Sequence, residues 1–183
     1  VLVGLTGRNA SGKTTVVSWF SSKGLRTTSC SDSIRRWLSE QEIEETRDSL
    51  IEGGRELRRR GGAGVLAEML LDSLDGEDAV IDSIRTPGEV EALRKRSDFT
   101  LIEIRAGIDS RWGRSQSRAR IGDPLEKEVF IAQEKSEEVA KDEAGQALNA
   151  TAALADMVIV NEGAIEDLHD DLNELWLTLT KPV

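Results

Sequence analysis

Of 183 residues, one is cysteine (Cys30) and one is histidine (His169). A single thiol excludes a disulfide framework within the chain and points to a reducing, cytoplasmic setting. Cys30 has no basic sequence neighbour to favour its thiolate, which argues against a nucleophile. His169 falls on the polar side of the last helical segment and reads as solvated. No apolar run approaches the ~20 residues that would cross a bilayer, so no membrane is expected as partner, and no signal-peptide pattern is visible. Positive charge is scarce as well: 24 Lys and Arg face 34 Asp and Glu, a net charge of −10. Bulk charge therefore excludes a nonspecific grip on nucleic acid. Internal repeats and low-complexity linkers are missing, so residues 1–183 read as a single domain long enough to bury a core.

Against this background the first fifteen residues stand out. An apolar, strand-like run from Val1 to Leu5 feeds directly into Gly7-x-x-x-x-Gly12-Lys13-Thr14, the pattern of a phosphate-binding P-loop. Gly7 and Gly12 allow backbone conformations that a side chain would obstruct. The intervening Arg8, Asn9, Ala10 and Ser11 can then present consecutive N–H donors to a polyphosphate. A helix starting near Lys13, through Thr14 and Thr15, aims its positive end at the same anion. Lys13 adds a mobile cation for the terminal phosphates, and the Thr14 hydroxyl suits a Mg²⁺ ligand.

Beyond the loop, strand-like and helix-like segments alternate, which predicts a parallel sheet covered by helices. The reading gives a helix over about 13–23, a strand over 25–30, and a helix through Ile34, Trp37 and Leu38 with Ser31-Asp32 as its cap. Helical patterns follow over 46–60 and around Val65, Leu66, Met69 and Leu70. A short buried strand at 79–82 precedes a helix over 87–96, which Pro87 can start. A strand at 99–104, a basic segment at 111–120, an acidic helix over about 124–140, a strand at 157–160 and a helix over 165–179 complete the chain. The fold class is α/β with five strands. Trp19 and Trp176 are expected in the core, whereas Trp37 and Trp112 lie beside arginines and could stack on a base.

Three further constellations carry chemistry. Asp82 ends a buried strand, where a carboxylate can hold Mg²⁺ or its water shell beside the P-loop threonine; the alternative is a turn cap. Asp32 and Arg35 are three apart, on one face of a helix. Arg35 there can either take a substrate phosphate through paired N–H bonds or form an ordinary surface pair. Arg111, Arg114, Arg118 and Arg120 pack four guanidinium groups into ten positions before Asp123-Pro124. Such a cluster suits a lid that neutralises charge developing on a migrating phosphoryl group. The competing reading is a solvated helix paired with the acidic stretch 134–143.

Taken together, Gly4 to Lys13, Ser31 to Arg35, Glu56 to Ala67, Val80 to Arg85, the arginine segment to Asp123-Pro124 and Ala155 to Gly163 resemble the nucleoside-monophosphate-kinase-like P-loop proteins, the group around adenylate kinase and dephospho-coenzyme A kinase. The branch that looks closest comprises predicted nucleotide kinases, also found fused to deoxycytidylate-deaminase-like domains. The resemblance implies a P-loop NTPase three-layer sandwich: a five-stranded parallel sheet, a helical acceptor-binding insert over about 31–75 and a short lid over about 111–123. It implies ATP and Mg²⁺ as cofactors, with Lys13, Arg114, Arg118 and Arg120 serving transfer and Thr14 and Asp82 the metal. It puts Asp32, Arg35, Arg58 and Arg85 toward the acceptor phosphate and Asn161 near the adenine. Two positions depart from the group's pattern: Ala10 stands where relatives often have glycine, and Gly122 where an acidic residue often precedes Asp123.

The expected function is ATP-dependent phosphoryl transfer to a small phosphorylated acceptor, foremost a ribo- or deoxynucleoside monophosphate. Dephospho-coenzyme A is a second acceptor, needing a larger pocket. A different class of function is a nucleotide-sensing module that regulates a fused or partner deaminase, for which the ends at Val1 and Val183 would suit a piece of a longer chain. The chain itself lacks the zinc signature of such deaminases. It also lacks the Asn-Lys-x-Asp guanine motif of a GTPase.

Overall fold

The structure is a computed structural model of the chain, describing residues 1–119, 123–138 and 147–181. The elements run β1 (Leu2–Thr6), α1 (Lys13–Ser22), β2 (Arg26–Ser29), α2 (Cys30–Glu40), α3 (Arg47–Gly61), α4 (Val65–Leu74) and β3 (Ala79–Asp82). They continue through α5 (Pro87–Leu93), β4 (Phe99–Arg105), α6 (Ile108–Arg118), α7 (Lys127–Glu138), α8 (Leu148–Ala152), β5 (Met157–Val160) and α9 (Ile165–Leu179). The five described strands form one sheet in the order β2-β3-β1-β4-β5, and every pairing is parallel. Thus the expected α/β architecture is present, with β1 at its centre.

Strand β1 is buried at all five positions, which explains why its sequence is continuously apolar rather than alternating. Its two faces belong to different cores. Leu2 joins Ala79, Ile81, Phe99 and Leu101 beneath Ile34, Leu38, Leu57, Leu70 and Leu93 from α2 to α5. Val3 and Leu5 join Val80, Ile102, Ile104 and Ile159 against Val16 and Phe20 of α1 and Leu168, Leu172 and Leu175 of α9. Helices therefore cover both faces of the sheet, giving three layers. Trp19 and Trp176 pack at the margin of the second core, half-buried; Trp19 meets Phe20 and Trp176 edge-on, and Trp176 lies tilted against Phe20, with ring centroids 5.2–6.2 Å apart.

Several local expectations are corrected. Helix α2 begins two to three residues earlier than Ser31-Asp32 suggested: Ser29 is its cap, and Asp32 is the reciprocal partner, accepting from the Ser29 N–H at 2.7 Å. Helix α5 ends at Leu93 rather than 96, while Thr86 caps it through a bond from the Glu89 N–H at 3.2 Å. Strand β4 extends to Arg105, the acidic helix starts only at Lys127, and α8 was not foreseen. Nor is either remaining tryptophan displayed for a base. Trp37 packs against the first core, and Trp112 lies against Phe130 with ring centroids 5.6 Å apart. No helix among the described residues is long and apolar enough to cross a membrane.

Candidate active site

Parallel strands place their carboxyl ends together, and the turns after β1 and β3 meet there. The β1–α1 turn is the P-loop. Its fixed glycines take positive φ, +138° at Gly7 and +108° at Gly12. A Cβ at Gly12 would collide with the Asn161 amide, and one at Gly7 with the Ile104 carbonyl. Ala10, despite its side chain, also adopts φ +61°.

These turns border a cavity of about 550 Å³. From the P-loop, Asn9, Ala10, Lys13, Thr14 and Thr15 line it together with Gly7 and Gly12; from the turn after β3, Asp82 through Arg85 do so. Arg114, Arg118 and Asp123 add a third wall, and Gln133 and Leu148 a fourth. The Lys13 ammonium folds back to donate to the carbonyls of Gly7 at 2.7 Å and Arg8 at 3.0 Å. Helix α1 starts at Lys13 with no side-chain cap bond, so its N-terminal dipole faces the cavity side of the loop.

The four arginines of the basic segment separate. Arg118 lines the cavity, donating to Asp123 through Nε at 2.9 Å and NH2 at 2.8 Å and to the Asn9 side chain at 2.9 Å. Arg114 also lines it, but its guanidinium donates to the Ser11 carbonyl at 3.2 Å and the Asn161 carbonyl at 2.7 Å. Arg111 is 3% exposed and is not among the described residues bordering the cavity. It donates to the Ala106 carbonyl at 2.9 Å and is ion-paired with Glu134 of α7. For Arg111 the pairing with the acidic stretch is therefore the observed arrangement. Arg120 and Gly122 lie outside the described residues.

Arg8 turns away from the cavity as well. Its guanidinium meets Glu134 at 2.5 Å, Glu138 at 2.6 Å and Asn149 at 3.0 Å. Glu134 thus sits between two arginines. Its burial opposes ionisation, but hydrogen bonds and charge from Arg111 and Arg8 prevail and hold its carboxyl below the ordinary range. Ser11 is fully buried; its carbonyl accepts from the Asn161 side-chain amide at 2.9 Å. Asn161 consequently braces the P-loop and is not among the described residues bordering the cavity. Next to it, the Glu162 carboxylate accepts from the Gly107 N–H and from the Ser110 hydroxyl at 2.5 Å.

Of the four residues associated with the acceptor, Arg85 borders the cavity and Asp32, Arg35 and Arg58 do not. Arg35 bridges Asp32 at 3.0 Å and Glu45 at 2.9 Å on the surface. Arg58 approaches buried Glu89 at 3.5 Å. The other Glu89 oxygen accepts from the N–H groups of Arg85 at 2.9 Å and Thr86 at 3.2 Å. Glu89 therefore ties α3 to the turn that carries Arg85. Sequence reasoning gave no site role to Ser83, Ile84, Asp123, Gln133 and Leu148, which also line the cavity. Ser83 and Ile84 had a signal in lying between Asp82 and Arg85, and Asp123 in closing the arginine segment; Gln133 and Leu148 sit in segments whose spacing with the P-loop only tertiary packing defines. Cys30 is buried, and burial pushes its thiol well above the ordinary value, consistent with an inert core residue.

No protein-family model matches the chain. A UPF0200 protein of Hyperthermus butylicus is 27% identical over 183 residues, covering 98% of this chain and 95% of that protein. Another, from Pyrococcus furiosus, is 28% identical over 179 residues, covering 93% of each. Among solved structures, TT1252 from Thermus thermophilus aligns with a TM-score of 0.66 at 20% identity, over 99% of this chain and 98% of that one. Shikimate kinase from Bacteroides thetaiotaomicron aligns with a TM-score of 0.62 at 18% identity, over 96% and 98%. The chain is thus similar over nearly its whole length to UPF0200 proteins, and it shares its α/β fold with the solved shikimate kinase.

Proposed function

We propose that this chain transfers the γ-phosphoryl group of ATP to a small phosphorylated acceptor, a ribo- or deoxynucleoside monophosphate. One observation carries the reading: a single cavity is bordered by the P-loop, Asp82, Arg85 and Arg118. The fold of solved kinases, including shikimate kinase and a sugar kinase from Janibacter, supports phosphoryl transfer as the class of reaction.

Each group has a task that its chemistry allows. The P-loop N–H donors and the α1 dipole hold the β- and γ-phosphates. Lys13 exchanges the Gly7 and Arg8 carbonyls for phosphate oxygens, a better partner for an ammonium. Arg85 holds the acceptor phosphate. Arg118 meets charge on the migrating group, with Asp123 fixing its plane. Among the described residues no cluster of three or more His, Cys, Asp or Glu side chains forms a metal cage. Instead, Thr14 and Asp82 border the cavity where phosphates would lie. One hydroxyl and one carboxylate, completed by phosphate oxygens and water, fit Mg²⁺, which is commonly held through one or two carboxylates and substrate phosphates. Held by Thr14 and Asp82, Mg²⁺ would offset the negative charge of the bound phosphates.

A phosphorylated acceptor brings an oxygen already ionised near neutral pH. That oxygen attacks the γ-phosphorus as the bond to the ADP oxygen breaks, so the chain need supply no general base. Positioning and charge neutralisation then carry the catalysis.

Mg-ATP offered with a panel of ribo- and deoxynucleoside monophosphates and dephospho-coenzyme A tests the proposal. Turnover of one acceptor at roughly 1 s⁻¹ or more, lost in Lys13→Ala, is the expected result. A nucleotide-sensing role is favoured by one observation: Arg35 and Arg58 face carboxylates and do not border the cavity. Tight ATP binding without transfer to any acceptor would select that role.

A further inference from the structure

Five non-glycine residues among those described have positive φ: Ala10, Glu42, Asp75, Ser83 and Ala119. Three have a local reason. Asp75 and Ala119 are the C-caps of α4 and α6, and Glu42 follows the C-cap of α2, places where a left-handed residue ends a helix. Ala10 belongs to the P-loop. Ser83, at φ +58°, follows a strand and borders the cavity.

The turn at Ser83 is fixed from both sides. Gly4 pairs with Ile81 in the sheet. Three residues on, the Ile84 N–H donates to the Leu5 carbonyl at 2.9 Å, while the Thr6 hydroxyl donates to the Ile84 carbonyl at 2.9 Å. The chain must therefore cross from Asp82 back onto β1 within one residue. Glycine makes such a turn without steric cost, so a side chain here calls for a compensating contact. The Ser83 hydroxyl supplies one, donating to Asp82 Oδ1 at 2.9 Å.

We infer that Ser83 is a positioning residue for Asp82: its hydroxyl, held by the strained turn, fixes the carboxylate in the orientation that receives a nucleotide-bound divalent cation. This inference rests on the proposed Mg-ATP site. The bond occupies one carboxylate oxygen and restricts the Asp82 side-chain torsion before any cation arrives. A cation then meets a carboxylate already oriented, and less rotational freedom is lost on binding.

The test separates turn from hydroxyl. Ser83→Gly relieves the backbone and removes the hydroxyl; Ser83→Ala keeps the strained φ and removes the hydroxyl. ATP affinity is measured calorimetrically with and without Mg²⁺, alongside the melting temperature. The expected pattern is a Ser83→Gly melting temperature at or above wild type and a lower one for Ser83→Ala. In both, the Mg²⁺-dependent gain in ATP affinity falls about tenfold, the scale of one charge-assisted hydrogen bond, while metal-free ATP affinity is unchanged. If both variants keep the wild-type Mg²⁺ dependence, Ser83 serves the turn alone and the inference fails while the proposed function stands. Wild-type protein that binds ATP without Mg²⁺ dependence, or binds none, overturns the proposed site and this inference together.

Discussion

The side-chain amide of Asn161 donates to the main-chain carbonyl of Ser11 at 2.9 Å, across 150 positions of sequence. Arg114 donates to the same carbonyl and to the Asn161 carbonyl. The P-loop is therefore braced by the end of β5 and by α6, and its shape depends on distant segments. A braced loop keeps its N–H donors aligned before phosphate arrives, which lowers the ordering cost of binding.

Replacing Lys13 with alanine removes the cation nearest the expected γ-phosphate. Phosphoryl transfer should fall by at least about 10²-fold, the scale for losing one preorganised donor. The circular dichroism spectrum should be unchanged, because the Lys13 ammonium donates to the Gly7 and Arg8 carbonyls of the loop and the two cores are built from other residues. Wild-type turnover in this variant would sink the assignment.

Arg118→Ala separates binding from chemistry. Arg118 contacts Asp123 and Asn9 from the rim of the cavity, whereas the P-loop amides are the proposed donors to ATP. The variant should lose kcat by about 10²-fold or more with ATP affinity within about threefold of wild type, half a unit on a logarithmic affinity scale. Steady-state kinetics and ATP titration decide it; a loss confined to ATP affinity would remove Arg118 from the transfer step.

Glu134 is the shared partner of two arginines, one of them buried. Glu134→Ala leaves Arg111 as an uncompensated charge in the interior, which costs about 3–5 kcal/mol. Glu138→Ala, removing a more exposed partner of Arg8, should cost less than about 1 kcal/mol. Urea unfolding of the two variants measures the contrast, and equal midpoints would show that Arg111 does not depend on Glu134.

Acid should weaken the fold through the same carboxylate. The Glu134 pKa lies below its ordinary 4.5 in the folded chain, so its contribution is full above that value and is lost as pH falls through the depressed one. Asp98 behaves alike, since donation from Arg96 lowers it from 3.8 to about 2, although solvent screening at this exposed pair makes its share smaller. The denaturation midpoint should thus hold from neutral pH to about 5 and decline below, with a shallower decline in Glu134→Ala. Equal acid slopes in the two proteins would assign the loss to other groups.

What the sequence disclosed follows from how local each constraint is. The P-loop is legible because backbone geometry and phosphate chemistry demand Gly7, Gly12, Lys13 and Thr14 within eight positions. Strands β1 and β3 are legible because burial on both faces keeps them apolar up to their last residue. The sequence left Arg111 between phosphate and the acidic stretch: its partner Glu134 lies 23 positions away on another helix, and a cluster of arginines looks the same whether it faces phosphate or carboxylate. Helix α8 was missed because five residues hold barely more than one turn, too short for a periodic pattern. The cap of α2 was misplaced because Asp32 acts as the reciprocal carboxylate of the box and Ser29 as the cap itself.

The central place of β1 also governs when the site can exist. Leu2 aligns with Ala79 on one side and with Phe99 on the other, so the strand that launches the P-loop gains its neighbours only after two long chain closures. Contacts of such sequence separation form late and slow folding. A partly unfolded chain therefore carries the whole P-loop motif yet lacks the scaffold to shape it. The proposed ATP binding would then stabilise by mass action only molecules whose sheet is complete.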